Sequence, residues 1–406
     1  MTSTKFIQNK TALITLIAAC LVVLISLGVR QTFGLFFSDF KNDLDISLTE
    51  SGLAVGLQML MWGLSGPIFG AIADKYGGHK AIMLAFVFYI LGIYFLYSGP
   101  NTGIFFQIDM GLLVGIGLGG TAISIPMSIV GKHFPLSNRT IAMSLVTAVG
   151  SFGYFISPMY TSYSLINNGW IHTLYIFTIF LVIGLVIAFF VRSPSLSESI
   201  EKPSDQNTIS ALKEAFKTKS YVLLTAGFFV CGFHITLVGT HVPTYVIDRG
   251  LETWTAAAIL SLIGLFNIFG SLFSGYLSTK MKKKVILAAI YALRGISICL
   301  FIFLPASNIN AFIFGASFGF LWLSTVPATS GIVAHMFGTK HLGMLYGIVF
   351  LSHQIGSFFG SFLGGLFHDI YGSYDYAWYL AIALSIFAAI IHVPIKEEPV
   401  LRLKTE

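Results

Sequence analysis

Three charged side chains, Arg30, Asp109 and Arg294, stand inside long apolar stretches of the sequence. A charge at such depth costs about 3 kcal/mol or more unless it is paired or hydrated, so each asks for a function. A guanidinium can hold an organic anion, and a carboxyl group can carry a proton. Arg30 and Asp109 each lie about eight residues from the outer end of their stretch. At a rise of about 1.5 Å per residue they share a depth and can pair. Arg30 then either binds an anion once Asp109 takes a proton, or forms a permanent pair that staples two helices. Arg294 lies near mid-depth, where bonding to backbone carbonyls competes with substrate contact as its role.

His234 and His241 are seven residues apart and share a helix face. Histidine suits proton coupling near neutral pH, and a hydrogen-bonded core histidine is the competing reading. Thr240 and Tyr245 give His241 polar company. His353 and Gln354 precede Gly356, Gly360 and Gly364, a close-packing face that favours a core role for His353. A fourth group of residues, Gly70-Ala-Ile-Ala-Asp-Lys-Tyr-Gly-Gly-His-Lys80, forms a tight reversal between two apolar stretches and holds Asp74, Lys75, Gly77 and Lys80. Such a turn uses glycine at positive φ without steric cost.

The elements that must position these groups are helices in a bilayer. The chain has 406 residues, 55% of them hydrophobic and 10% charged. Soluble domains carry about 25% charged residues, so a soluble class is excluded. Twelve apolar stretches cover 11–38, 50–73, 80–98, 103–131, 140–164, 170–191, 221–247, 254–278, 284–305, 308–335, 342–367 and 376–395. Each is long enough to cross a hydrocarbon core of about 30 Å, and we number them spans 1 to 12. Span 1 follows Lys5 and Lys10 as a signal peptide would, but its length and lack of a cleavage site predict a retained helix. The expected fold class is an all-α membrane protein with twelve transmembrane helices in two pseudo-symmetric six-helix bundles.

Charge gives orientation. Of the 23 Lys and Arg residues, nineteen lie in the tails, the central linker and every second loop. This predicts cytoplasmic termini by the positive-inside rule. Lys41 and Arg249 lie on the opposite side, where Asp39, Asp43, Asp45 and Glu50 fill the first loop. The net charge of +6 is thus a topology signal, and no basic stripe suits nucleic acid. A polar stretch at 192–220 separates an N-terminal bundle, 1–191, from a C-terminal bundle, 221–406, and its end can form a short amphipathic helix. The halves repeat at an offset near 200 residues: Gly70…Lys80 with Gly275…Lys284, Pro126 with Pro327, and Gly150/Gly153 with Gly356/Gly360. A parallel repeat of this kind forms a substrate site at mid-depth between halves that rock. Cys20, Cys231 and Cys299 lie in apolar runs and imply no disulfides. No P-loop, metal-ligand spacing or nucleophile motif is present, which argues against an enzyme, an ATP-driven pump or a cofactor.

The Gly70…Lys80 loop resembles the cytoplasmic loop between helices 2 and 3 of the major facilitator superfamily. The run Arg30-Gln-Thr-Phe-Gly-Leu-Phe-Phe-Ser-Asp-Phe40, the segment 231–243 and Leu351-Ser-His-Gln-Ile-Gly-Ser resemble its monocarboxylate transporter and oxalate/formate antiporter branch. The resemblance implies alternating access, with Asp74, Lys75, Gly77 and Lys80 as gating residues. It places Asn267 and Ser271 where animal monocarboxylate transporters carry an Asp and an Arg, and Gly111 where many proton-coupled members have Arg. The basic residue of helix 1 becomes Arg30, or Gln31 if the alignment shifts by one. The implied function is a monomeric secondary transporter of a bacterial inner membrane. It would move a small organic anion with protons, using Arg30, His234, His241 and Asn267 for substrate and Asp109 for the proton. An exporter of an amphipathic drug or siderophore is the main alternative, and a transporter-like sensor is a third.

Overall fold

The computed structural model describes residues 10–100, 102–192, 207–338 and 341–400, so 193–206 of the expected linker lies outside the described residues. All regular structure among the described residues is helical. Eleven helical units are apolar and long enough to cross a membrane. One of them, Ile141–Ala188, is two spans. Gly169 takes a left-handed φ of 79° inside it, and the Thr173 hydroxyl donates to Ser164 Oγ at 2.8 Å. Residues nine apart on a straight helix are separated by about 13 Å, so the chain reverses at Gly169. Span 5 therefore ends and span 6 begins there, and the twelve expected spans are present.

Their ends follow local rules. Span 2 runs Leu48–Tyr76 because Ser47 and Glu50 form a reciprocal capping box, which draws Glu50 out of the preceding loop and into the first helical turn. Asp39 and Asp43 likewise sit on a short helix, Phe37–Leu44, joined to span 1 (Lys10–Gln31) by a 3-10 turn, Phe33–Phe36. The amphipathic helix expected after the linker is Thr208–Lys217, capped by Asn207.

Pseudo-symmetry is visible in the packing. A Cβ added at Gly150 or Gly153 of span 5 would strike span 1, at Val23 and Leu24. The corresponding Gly356 and Gly360 of span 11 (Leu342–Tyr371) face Phe229 and Phe233 of span 7 (Lys219–Asp248) in the same way. Close backbone approach is what small residues supply in a bilayer. Spans 4 and 10 (Gly103–His133 and Asn308–Phe337) are both broken, at Ala122 and around Trp322. Beside the breaks, Ser26 bonds Thr121 at 2.7 Å and Cys231 contacts Thr325 at 3.2 Å.

The halves meet along spans 2 and 11 and along spans 5 and 8 (Thr253–Leu277). They converge at the face bearing the acidic first loop, which we call the acid face. There Gly34 packs on the Thr240 carbonyl, Phe37 stacks edge-on to His241 at 5.7 Å, and Thr49 bonds Asp369. Contact between spans 2 and 11 continues to Gly63 against Gln354 and Trp62 against Phe350. Beyond that depth the halves part. Gly343 and Gly347 of span 11 and Gly275 of span 8 have nothing within 4 Å of a Cβ position. The chain is closed at the acid face and open toward the Lys-rich loops, the basic face.

Candidate functional site

Below the closed acid face, spans 1 and 7 leave polar groups without partners. Arg30 ends span 1, is 8% exposed, and donates from one terminal nitrogen to Met59 Sδ at 3.2 Å. Its Nε has no hydrogen bond among the described residues, and no carboxylate lies within ion-pair distance. The Tyr154 hydroxyl is a hydrogen-bond partner of the guanidinium, and the Tyr89 hydroxyl is an electrostatic neighbour. The negative end of the span 1 dipole compensates part of the charge. Gln31 is buried with both amide atoms unbonded, and so is the Thr236 hydroxyl.

Gly34 rests on the Thr240 carbonyl where the turn after span 1 meets span 7; Gln31 precedes Gly34 by three positions at the end of span 1, and Thr236 precedes Thr240 by four within span 7. Arg30 lies beside the meeting of spans 2 and 11, since the main-chain carbonyl of the same Met59 accepts from Gln354 Nε2 at 3.0 Å. Unsatisfied buried donors cost about 1–3 kcal/mol each, so this turn stores a demand for an acceptor. A carboxylate meets it: it accepts two parallel bonds from a guanidinium, and amide and hydroxyl donors complete its shell.

The other sequence candidates lie elsewhere. Asp109 is 6% exposed on a π-helical turn, Gln107–Leu113, and its carboxylate makes no ion pair or hydrogen bond to another described residue. Equal depth did not produce a pair with Arg30, because rise along a helix sets depth and not azimuth. His234 and His241 do share a face, and it is turned to spans 11 and 12 (Asp375–His392). His234 Nε2 bonds the Ala381 carbonyl at 2.9 Å, while His241 bridges the Ser361 carbonyl at 2.6 Å and the Tyr374 hydroxyl at 3.3 Å. Both are wholly buried and hold the C-terminal half together. Asn267 is an inter-half link. Its Nδ2 donates to Ser151 Oγ at 3.0 Å, and its Oδ1 accepts from the Leu323 amide at the break of span 10 at 3.0 Å.

Arg294 bonds the Leu321 and Trp322 carbonyls and lies beside Cys231, closing the same break from the other side. His353 stacks on Phe350 and bonds Gln354. Asp74 pairs with Lys132 at 2.7 Å within the N-terminal half, Lys75 lies over the Tyr76 ring, Gly77 has a φ of 97°, and Lys80 is exposed. In the sequence nothing separates Thr236, Met59 and Tyr154 from ordinary core residues, and Gln354 stands out only as the neighbour of His353. The near-200 offset does align Tyr89 with Tyr291.

Comparison with known proteins places these features in a family. A profile of the Major Facilitator Superfamily matches residues 19–325 and 293–405. The chain is similar to monocarboxylate transporter 13 of Rattus norvegicus, at 23% identity over 87% of this chain and 82% of that protein. It is similar to the oxalate:formate antiporter of Oxalobacter formigenes, at 23% identity over 88% and 85%. Among solved structures, a bacterial homolog of the human lysosomal transporter Spinster, inward-facing and unoccupied, superposes with a TM-score of 0.77 at 15% identity, covering 95% of this chain and 97% of that one.

Proposed function

This chain belongs to the major facilitator superfamily and is a multi-pass membrane transporter, not an enzyme; from that premise we propose that it carries a small organic anion of the monocarboxylate kind, together with a proton. One observation carries the reading. Arg30 is a buried guanidinium with no carboxylate partner among the described residues and an unbonded Nε, bonded only to Met59 and Tyr154, and set where the two halves meet. A substrate carboxylate is the group that would neutralise it, with Gln31 and Thr236 adding donors. The relatives named for monocarboxylates and for oxalate and formate support an acid as cargo. We assign Asn267 to the site as well, a reading supported by its inter-half bond to Ser151.

In the cycle, the acid face opens, the anion docks on Arg30, and the halves close over it. Opening of the basic face then releases the acid. Asp109, a buried carboxyl without an ionic partner, is the proton carrier in this scheme, because its charge is least costly to neutralise. Asp74, Lys75, Gly77 and Lys80 gate the basic face. Asp74 is bonded to Lys132 here, and would exchange that partner for the opposite half when the basic face shuts. We place the chain as a monomer of two rocking units, 1–191 and 221–406 joined by 192–220, in a bacterial inner membrane with cytoplasmic termini.

The test is counterflow of labelled lactate, pyruvate, formate and oxalate in liposomes holding the purified chain. One of these acids exchanges in wild type and not in Arg30→Gln, and Arg30→Lys retains part of the flux. Absence of flux for every acid discards the substrate class and leaves export of an amphipathic solute as the reading to pursue.

A further inference from the structure

The short helix before span 7 carries an exposed apolar edge. Thr208–Lys217 turns Ala211 and Ala215 inward, where both are buried. Ile209 and Phe216, seven apart and so on one side of the helix, are 60% and 53% exposed. Phe216 meets the Tyr221 ring of span 7 edge-on at 5.8 Å. Span 7 starts at Lys219, directly after this helix, so the chain holds the apolar edge at the level where span 7 enters the bilayer. Lys213 and Lys217, four apart and exposed, flank that edge. Beside them runs the segment that follows span 12. Buried Ile395 anchors it. Main-chain bonds tie it to the basic-face ends of spans 7, 9 (Lys283–Phe303) and 10: Lys396 N–H to Ser220 Oγ at 2.9 Å, Lys284 N–H to a Glu397 carboxylate oxygen at 2.7 Å, and Val400 N–H to the Met336 carbonyl at 3.0 Å. Helix and segment bound a cavity of about 1030 Å³ lined by Lys213, Lys217, Lys219 and Lys396, together with Glu214 and Glu398.

We propose that this cavity binds an anionic phospholipid, with the phosphate diester among the four ammonium groups and an acyl chain along Ile209 and Phe216. The positive-inside rule accounts for lysine on this face, but not for lysines from two separate segments gathered round one concavity. None of the four is ion-paired with a carboxylate among the described residues, although two carboxylates line the same cavity. Four ammonium groups against Glu214 and Glu398 leave a surplus of positive charge, and phosphate oxygens accept strongly from ammonium donors. A basic recess at the membrane border holds an acidic headgroup, and an amphipathic helix beside it takes up the chain. A soluble phosphate would satisfy the lysines and leave Ile209 and Phe216 in water. A lipid satisfies both, which decides between the two sources. The site shares no residue with the surroundings of Arg30. It rests on the chain's being a membrane protein and not on which solute is carried.

The experiment is native mass spectrometry of the purified, delipidated chain, titrated with phosphatidylglycerol or with phosphatidylcholine of the same acyl chains. The first phosphatidylglycerol is expected to bind more tightly than the first phosphatidylcholine. A lysine beside an anionic headgroup is worth about fivefold in affinity. Lys213→Gln combined with Lys217→Gln is therefore expected to weaken phosphatidylglycerol about thirtyfold, and Lys396→Gln about fivefold, with phosphatidylcholine unchanged. Lys280→Gln combined with Lys282→Gln removes the same charge from exposed positions on the same face, outside the cavity. Its effect is expected to stay below about threefold, because exposed charges beyond the cavity are screened. Ile209→Ser combined with Phe216→Ser is expected to weaken phosphatidylglycerol, and glycerophosphoglycerol, the same headgroup without chains, not to displace it. Equal affinity for the two lipids overturns the proposal, and so does an equal loss in the 213/217 and 280/282 pairs. Displacement by glycerophosphoglycerol at the lipid's own concentration assigns the cavity to a soluble phosphate and overturns it as well. Because no solute is carried in this measurement, its failure and the failure of the transport reading remain separate results.

Discussion

Replacing Arg294 tests whether a buried charge in this chain is structural or part of the transport site. Its guanidinium serves two carbonyls exposed by the break in span 10. In a continuous helix the Trp322 carbonyl would accept from the Val326 N–H, but that N–H donates to Leu323 instead. Arg294 Nη2 fills the gap, bonding Trp322 and also Leu321 at 2.8 Å, with Nε adding 3.3 Å to Leu321. Stranding two carbonyls at a depth without water costs about 2–3 kcal/mol each, or about 4–6 in total. Removing an uncompensated buried cation returns about 3 kcal/mol. The net loss is about 1–3 kcal/mol for Arg294→Met, and less for Arg294→Gln, whose amide can remake one bond. For a chain of this size that lowers Tm by about 1–4 °C. The assay is thermal unfolding in detergent followed by fluorescence-detected size exclusion. Counterflow KM of the folded fraction should stay within about twofold, because Arg294 faces the break and Cys231 and not the inter-half space. A methionine variant as stable as wild type, or a normal Tm with a large rise in KM, would refute the reasoning.

Three further outcomes follow from the geometry. Asn267→Ala removes the bond to Ser151 and strands the Leu323 amide, so it should cost about 1–3 kcal/mol of stability and alter turnover more than KM; Tm and counterflow rates read this. Gly34→Val places a side chain on the Thr240 carbonyl and should hold the acid face open, seen as faster labelling of a cysteine introduced beneath that face by an impermeant maleimide. His241→Ala opens a cavity and frees the Ser361 carbonyl and Tyr374 hydroxyl, lowering stability by about 2–4 kcal/mol with KM unchanged in the surviving protein.

Much of the architecture was legible because a bilayer imposes it. Apolar length fixed most spans to within a few residues, span 1 ending at Gln31 and not at 38 because a 3-10 turn follows it, and the Gly150/Gly153 and Gly356/Gly360 pairs marked the faces that pack on spans 1 and 7. The site was legible only in part. Arg30 declared itself by its charge, whereas spacing put His234 and His241 on a common face without saying that spans 11 and 12 cover it. Arg30 and Asp109 matched in depth, but helical rise says nothing about which way each side chain turns. Gln31 and Thr236 became informative only once packing left them unbonded, and hydrogen-bond satisfaction is a tertiary property.

In the proposed cycle Arg30 receives a carboxylate from the substrate. The most direct measurement of this is equilibrium binding of the labelled acid that exchanges in counterflow, to wild type, Arg30→Lys and Arg30→Gln in detergent. Loss of a charge-assisted pair with a buried guanidinium predicts at least about tenfold weaker binding in Arg30→Gln, with a smaller loss in Arg30→Lys. Equal affinity in all three would contradict the account and remove Arg30 from the site.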